Sequence, residues 1–463
     1  MSLIKSISGI RGTIGGKPGT GLTPIDIVKF SAAYASIILE QGKGKKVVIG
    51  RDGRISGAMV RDLVVATLQG LGCEVIDLGL STTPTVEMAV TMAGAAGGII
   101  LTASHNPKEW NALKLLNHEG EFISAEVGAE VLSRGEQGLI NFADVNHLGT
   151  VTEDDSFKQK HIDAILAHPL VDVAAIKAKN FKIIVDAVNS TGAIYVPALL
   201  QALGVEHVSV LNETVDGHFA HNPEPLPENI TELCNEVAKK DADLGIAVDP
   251  DVDRLCFVCE DGTPFGEEYT LVAVADYVLS KQKGNTVSNL SSTRALRDVT
   301  EKHGGQYFGS AVGEVNVVKK MKEVNAVMGG EGNGGIIDPQ LHYGRDALVG
   351  IALFLTHLAH SGKTIGALRS TYPSYFISKN KIELDESVDV KAIFEKIAQK
   401  YAKQPINTED GLKIEFDTDW VHLRTSNTEP IIRIYSESNS ETTANNIAKR
   451  IIEDIKEMMQ ERS

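Results

Sequence analysis

The chain has 463 residues, too many for one ordinary core, and length alone suggests about three or four domains. Apolar residues make up 43% and there are 43 glycines, as expected of a soluble globular protein rich in turns. The formal charge of −16 argues against a nucleic-acid or anionic-membrane partner, since either calls for a basic face, but local arginines can still hold small anions. The start Met-Ser-Leu-Ile-Lys-Ser lacks a charged-then-apolar leader and no apolar run reaches spanning length, so a cytoplasmic protein is expected. Four cysteines are too few for a disulfide framework, and Cys256-Phe-Val-Cys259 lies in an apolar run, where buried strand cysteines are expected.

Ser8-Gly-Ile-Arg-Gly12 comes first, with glycines on each side of Arg11 that let its guanidinium approach a ligand closely. Residues 23–41 read as a helix opened by Thr23-Pro24. A strand at 46–50, a helix at 57–71 and a strand at 74–78 then make a βαβ unit. The apolar run 96–101 leads into Thr102-Ala-Ser-His-Asn-Pro-Lys-Glu-Trp-Asn-Ala-Leu-Lys114, where Asn106-Pro107 breaks regular structure. Ser104 therefore sits on a constrained loop at a strand end, where α/β proteins place ligands. A serine there can be a nucleophile, a phosphate carrier or a turn-former.

The pattern returns twice. Strand 181–186 is followed by helix 193–203, and helix-like 228–240 precedes strand 244–249. Such alternation points to parallel α/β layers, and three such blocks suggest three similar domains. From about Ser374 the chain carries more charge and fewer glycines and ends in a helix at 441–459, as a smaller α+β domain would. Linkers are expected near 150–156, Asp253–Cys259 and Thr371–Ser374, giving domains 1–150, 151–253, 254–372 and 373–463.

Three further stretches carry chemistry. Asp249-Pro-Asp-Val-Asp253-Arg254 places carboxylates at alternate positions after an apolar strand, where they repel unless a cation neutralises them. Hard oxygen donors suit Mg²⁺, and an EF-hand is rejected because its sixth position needs Gly and holds Arg254. Gly329-Gly-Glu331-Gly-Asn333-Gly-Gly335 sets one acid and one amide among glycines, either a sugar-hydroxyl reader or a plain glycine-rich hairpin. Arg424-Thr-Ser-Asn-Thr428-Glu-Pro430, with Arg433, supplies the fork and neutral donors that a phosphate dianion needs, or a capped turn. No G-x-S-x-G elbow, P-loop, dinucleotide fingerprint or H-E-x-x-H accompanies them.

In this order the motifs TASHNPKEWNALK, DPDVDR, GEGNGG and RTSNTEP resemble those of the α-D-phosphohexomutases, the family of phosphoglucomutase, phosphomannomutase and phosphoglucosamine mutase. The likeness spans the chain, including Ser8–Gly12 and Asp216-Gly-His-Phe-Ala-His-Asn-Pro-Glu-Pro225. It implies three α/β domains with mixed sheets plus a smaller α+β domain around a central cleft, each giving one loop. It further implies an isomerase, an intramolecular phosphotransferase working through phosphoserine and a hexose 1,6-bisphosphate, which would also be its activator. By resemblance Ser104 would be the phosphoserine, and Asp249, Asp251 and Asp253 would hold one Mg²⁺ together with it. Lys114 would be the general acid/base, while Arg11, His105 and Arg254 would surround the transferring phosphate. Glu331 and Asn333 would lie in the sugar loop, and Arg424, Ser426, Asn427, Thr428 and Arg433 would grip the unreactive phosphate. The hexose phosphate is drawn towards glucosamine by Ala311-Val-Gly-Glu314, with Glu314 offered to an amino group. Asn427 speaks instead for a mannose or glucose phosphate, and GEGNGG with Gly344-Arg-Asp-Ala347 resembles archaeal-like members of mixed use. A monomer or homodimer is expected, and the competing readings are a silent sugar-phosphate binder and a metal-dependent phosphatase.

Overall fold

The computed structural model describes residues 2–6, 9–138, 140–384, 388–425 and 431–460, and among these no helix is long and apolar enough to cross a membrane. Four sheets follow one another along the chain. The first has seven strands and contains the parallel trio Lys46–Arg51, Glu74–Leu80 and Gly97–Leu101. Antiparallel Trp110–Leu116 extends it beside Gly97–Leu101. The second sheet repeats that plan with parallel Lys182–Asp186, His207–Leu211 and Leu244–Val248, then antiparallel Leu255–Val258. The third does so again with Asn285–Asn289, Tyr307–Ser310, Ala326–Glu331 and antiparallel Gly335–Ile337. The fourth sheet, from Phe376–Glu383 onwards, is wholly antiparallel, and helices Val390–Lys400 and Glu441–Gln460 accompany it.

The plan is a β-α-β-α-β unit closed by one antiparallel strand. In all three α/β units the chemistry-bearing loop is the connection from the last parallel strand to its antiparallel partner. The loop holding Ser104 joins Gly97–Leu101 to Trp110–Leu116, the aspartate loop joins Leu244–Val248 to Leu255–Val258, and the glycine loop joins Ala326–Glu331 to Gly335–Ile337. Three equivalent turns thus converge at the carboxyl ends of parallel strands, where this sheet class binds ligands.

Two of the expected linkers are ordered differently. Residues 150–156 include strand Val151–Glu153, which pairs in parallel with Glu74–Leu80 and forms the edge of the first sheet. The segment Asp253–Cys259 contains strand Leu255–Val258, so the second sheet runs past residue 253. That apolar strand buries every side chain, and pairing with Leu244–Val248 satisfies its backbone, which a linker could not do. Cys256 and Cys259 are buried free thiols of this region, as expected. Thr371–Ser374 does lie between helix Ile365–Arg369 and strand Phe376–Glu383.

Local signals set the helices as expected. Pro24–Glu40 opens with a capping box between Thr23 and Asp26 and buries Ile27, Phe30, Tyr34 and Ile38 in the core of the first unit. The second and third units share one core, in which Phe257 of one stacks on Phe354 of the other at 3.8 Å between ring centres. Helix Ala347–Ser361, nearly all buried, runs through this shared core. The fourth unit keeps a core of its own built on Ile397, Ile414, Leu423, Ile434 and Ile451.

Candidate active site

The turn carrying Ser104 is held in an unusual shape. Ser104 has φ 49°, in the left-handed region that costs a non-glycine residue free energy and needs over-determined surroundings. Its main-chain N–H donates to Thr102 Oγ1 at 2.9 Å, and that hydroxyl donates to Asp52 Oδ2 at 2.6 Å. Arg54 completes the cradle. Its buried guanidinium donates to the carbonyls of Ser104, Asn106 (2.7 Å), Pro107 (2.8 Å) and Trp110 (2.9 Å), while Nε pairs with Asp52 at 3.0 Å. One side chain thus collects four loop carbonyls, and Phe219 from the stretch 216–225 lies 5.1 Å from its guanidinium carbon.

The aspartate loop meets this turn. Ser104 Oγ donates to Asp249 Oδ2 at 2.7 Å, and Asp249 Oδ1 accepts from the main-chain N–H groups of Asp253 and Arg254 at 3.1 Å each. Carboxylate oxygens of Asp249, Asp251 and Asp253 lie within 4.8 Å of one another, all fully buried. Lys114 Nζ reaches Asp251 at 2.7 Å and Asp253 at 3.5 Å. Burial, then the neighbouring aspartates, pushes Asp249 well above the usual carboxylate range. Burial would also raise Asp253, but Arg345, Lys114 and Arg254 outweigh it and hold that group low. For Lys114, burial is overcome by Asp251 and Asp253, which hold its ammonium protonated. The residues fit a hard divalent cation. Asp251 Oδ1 and Asp253 Oδ1 are buried oxygens without a hydrogen-bond partner, in an all-oxygen set next to the Ser104 hydroxyl.

The glycine loop is a hairpin and also a cleft wall. Gly334 (φ +87°) needs to be glycine, because a Cβ there would stand 2.4 Å from the carbonyl oxygen of Leu255. Its own carbonyl accepts from Leu255 N–H at 3.0 Å, so the third loop is sewn to the second. Glu331 accepts from Asn289 (2.9 Å), Gly313 N–H (3.1 Å) and Arg345 Nη1 (2.6 Å). Arg345 also reaches Asp253 at 2.6 Å and Glu314 at 3.1 Å, bridging the aspartate loop and the glycine loop. Neither Arg345 nor Arg54 is given a role by the sequence alone. Their partners lie in other loops, and nothing in their local spacing marks them. Glu314, pushed up to about 7 by burial, turns onto Arg345 and does not line the cleft, which removes the structural basis for offering it to an amino group.

The cleft itself has a volume of about 610 Å³. Arg11, His105, Arg254, Glu331, Asn333, Arg424 and Arg433 all line it, so seven of the expected residues share one cavity. His105 Nδ1 stands 3.4 Å from Ser104 Oγ; burial and then Arg254 drive its pKa well down, so it offers a neutral imidazole. Arg254 pairs with Glu224 of the stretch 216–225 at 2.8 Å. Arg424 and Arg433 stand directly opposite each other on neighbouring strands, an unfavourable like-charge pair. Arg424 finds Asp410 at 2.7 Å, whereas Arg433 has no carboxylate partner among the described residues. Burial, with Arg433 adding to it, lowers the pKa of Arg11, whose buried Nε has no partner. Such a cluster calls for an anion. Ser426, Asn427 and Thr428 lie outside the described residues. Lys379, Glu268 and Asn289 line the same cavity and had no distinguishing sequence signal.

Comparison with known proteins agrees with this geometry. Four models described as phosphoglucomutase/phosphomannomutase α/β/α domains I, II and III and C-terminal domain match residues 3–138, 159–262, 266–375 and 380–454. The chain is 38% identical to a phosphoglucomutase/phosphomannomutase of Thermococcus kodakarensis, over 91% of this chain and 92% of that one. It is 33% identical to a phosphoglucosamine/phosphogalactosamine mutase of Sulfurisphaera tokodaii, over 98% and 100%. A crystal structure of a phosphoglucomutase/phosphomannomutase family protein from Burkholderia thailandensis superimposes with TM-score 0.85 at 26% identity, covering 98% of each chain. With all four domain models matched in order and the three α/β loops meeting in one cleft, the chain belongs to the α-D-phosphohexomutase family.

Proposed function

We propose that this chain interconverts hexose 6-phosphates and 1-phosphates, glucosamine phosphate foremost, with Ser104 as the phosphate carrier. The observation that supports this most is the 2.7 Å contact between Ser104 Oγ and Asp249, beside a cleft that Arg424 and Arg433 also line. Phosphoserine 104 would give its phosphoryl group to the free hydroxyl of a bound sugar monophosphate. The P–O bond to Oγ breaks as the P–O bond to the sugar forms, leaving a hexose 1,6-bisphosphate. After the sugar turns over, its other phosphoryl group returns to Oγ. Free hexose 1,6-bisphosphate would recharge an unphosphorylated chain in the same way.

Each step asks the protein for position and charge. One Mg²⁺ on Asp249, Asp251, Asp253 and Ser104 would neutralise charge on the transferring phosphoryl group. Arg11 and Arg254 flank that group and neutral His105 donates an N–H to it. Arg424 and Arg433, with the following loop 426–430, would hold the phosphate that does not react. Burial would raise Glu331, but Arg345, Asn289 and Arg254 together outweigh it and keep it below the usual carboxylate range, so it stays an acceptor for sugar hydroxyls. Lys114 is placed to move the proton of the attacking or leaving sugar oxygen.

The amino-sugar preference rests on relatives, one of which is named for glucosamine and galactosamine phosphates. The relative at 38% identity is named for glucose and mannose phosphates and favours the second reading. The test has two parts. Intact mass of the purified chain should show one phosphate, lost on incubation with sugar phosphate and absent from Ser104→Ala, which should have no turnover. Then kcat/KM is compared on glucosamine, mannose and glucose phosphates. Near-normal turnover by Ser104→Ala would sink the carrier role, and equal or better rates on mannose or glucose would replace the substrate while leaving the mechanism standing.

A further inference from the structure

Behind the residues that line the cleft, the three α/β units meet at a second group of ligand-type side chains. His161 comes from helix Phe157–Leu166, while His342 and Asp346 come from the stretch between strand Gly335–Ile337 and helix Ala347–Ser361. The Nε2 atoms of both histidines converge on one oxygen, Asp346 Oδ2, at 2.8 Å from His161 and 3.2 Å from His342. One ligand atom from each residue lies within 4.8 Å of the others. We propose that His161, His342 and Asp346 form a second metal site, distinct from the aspartate loop and suited to a borderline transition ion such as Zn²⁺.

Donor chemistry separates the two sites. The aspartate loop offers only oxygen, which suits Mg²⁺, whereas two imidazoles and one carboxylate are the donors of Zn²⁺ and its neighbours. Spacing agrees. Four ligands at about 2.0–2.1 Å around a tetrahedral ion stand about 3.3 Å from one another, close to the 3.2 Å at His342, while the 2.8 Å at His161 would open by about half an ångström. Each ligand also has the outer partner that orients a metal-binding side chain. Thr85 Oγ1 meets His161 Nδ1 at 2.9 Å. Asp346 uses its other oxygen, Oδ1, to cap the helix at Leu348 N–H (2.8 Å) and Val349 N–H (3.3 Å), leaving Oδ2 for the ion.

The third partner is the most telling. Glu87, 1% exposed, has two buried oxygens without a hydrogen bond, and Oε2 stands 3.4 Å from the equally unpartnered Nδ1 of His342. Metal on Nε2 fixes the proton of His342 on Nδ1, pointing it at Glu87, so the orphaned carboxylate gains a donor. The His342 side chain is 12% exposed and gives the ion its way in.

The ion would fasten the second unit, through His161, to the third, through His342 and Asp346. Thr85 and Glu87 tie in helix Thr83–Met92 of the first. Asp346 follows Arg345, the side chain that joins Glu331 to Asp253, so the ion would stiffen the framework of the cleft without touching substrate.

Co²⁺ is the probe, because four-coordinate Co²⁺ absorbs strongly in the visible while octahedral oxygen-bound Co²⁺ absorbs weakly. The intact chain, with excess Mg²⁺ holding the aspartate loop, is titrated with Co²⁺. A strong visible spectrum saturating at one ion per chain is expected, displaced by Zn²⁺ and accompanied by a rise in Tm. Asp251→Asn should keep that spectrum, whereas His342→Gln and His161→Gln should lose it. Absence of a four-coordinate spectrum in the intact chain overturns the site, whatever the variants do. A spectrum that survives both histidine substitutions also overturns it, and the three side chains are then a hydrogen-bonded joint only.

Discussion

A divalent cation on the aspartates would draw on oxygens that Lys114 already holds. The ammonium sits 2.7 Å from Asp251 and 3.5 Å from Asp253, and those two carboxylates keep it protonated. When the aspartates are committed to an ion, Lys114 loses much of that support, and its proton becomes easier to give up. On the proposed roles, metal loading and proton transfer would be coupled through one pair of side chains. Lys114→Met should lower kcat by about 10²–10⁴-fold, the usual worth of a general acid/base. The same variant should bind Mg²⁺ more tightly, read by calorimetry, because a competing positive charge is gone. Weaker Mg²⁺ binding would show that Lys114 supports the ion instead of opposing it. Glu268 gives a second test at this scale. Burial pushes this cleft carboxyl from 4.5 up to about 8, and it accepts from Thr293 N–H at 2.9 Å. Because the folded value is the higher one, folding takes up a proton. The associated stability is complete below pH about 4.5 and is lost as pH rises through about 8. Glu268→Gln keeps an acceptor for Thr293 and should flatten the fall in stability across that window, measured by urea unfolding at successive pH values.

At the scale of elements, the strands, helices and reactive loops were legible because each is written locally. Thr23-Pro24 announces a helix, Asn106-Pro107 a break, and Asp249–Asp253 a carboxylate cluster, each within a few residues. The repeat among the three α/β units was faint in residues and plain in pairing, since the same β-α-β-α-β plan plus one antiparallel strand tolerates many apolar sequences. That antiparallel strand is also why the linker expected at 253–259 is a hairpin arm. What stayed hidden was whatever acts across long sequence separations. Arg54 grips carbonyls about fifty residues away, and Arg345 reaches Asp253 and Glu331 from Gly344-Arg-Asp-Ala347, a segment whose spacing does not say what its arginine touches. Contacts between loops are where the remaining precision lies, and Gly334 tests one of them. Gly334→Ala places a methyl 2.4 Å from the Leu255 carbonyl at a left-handed φ. It should cost more than about 1 kcal/mol from the conformational term alone. It should also raise KM for sugar phosphate, since the loop carrying Glu331 must shift. A variant with unchanged Tm and KM would mean that the two loops are not joined there.

For the whole molecule, the division of the apolar cores indicates what moves. The second and third units share a core, so they should behave as one body, while the fourth packs around its own isoleucines beyond Thr371–Ser374. Arg424 and Arg433 travel with that fourth unit, whereas Arg11 belongs to the first sheet. Scattering from the chain should show a smaller radius of gyration with hexose 1,6-bisphosphate than without it, and added salt should weaken the ligand's grip. An unchanged radius at saturating ligand would mean a cleft that is already closed. The three arginines also bear on the protection of a phosphorylated serine. Arg11 of the first unit and Arg433 of the fourth both line the cleft and repel each other, and a ligand phosphate between them would cancel that repulsion. Water brings no charge, so it cannot pull the walls together around Ser104. On the proposed function, admission would be decided by the charge that sugar phosphates carry, and a phosphate held on Ser104 would be kept for those molecules.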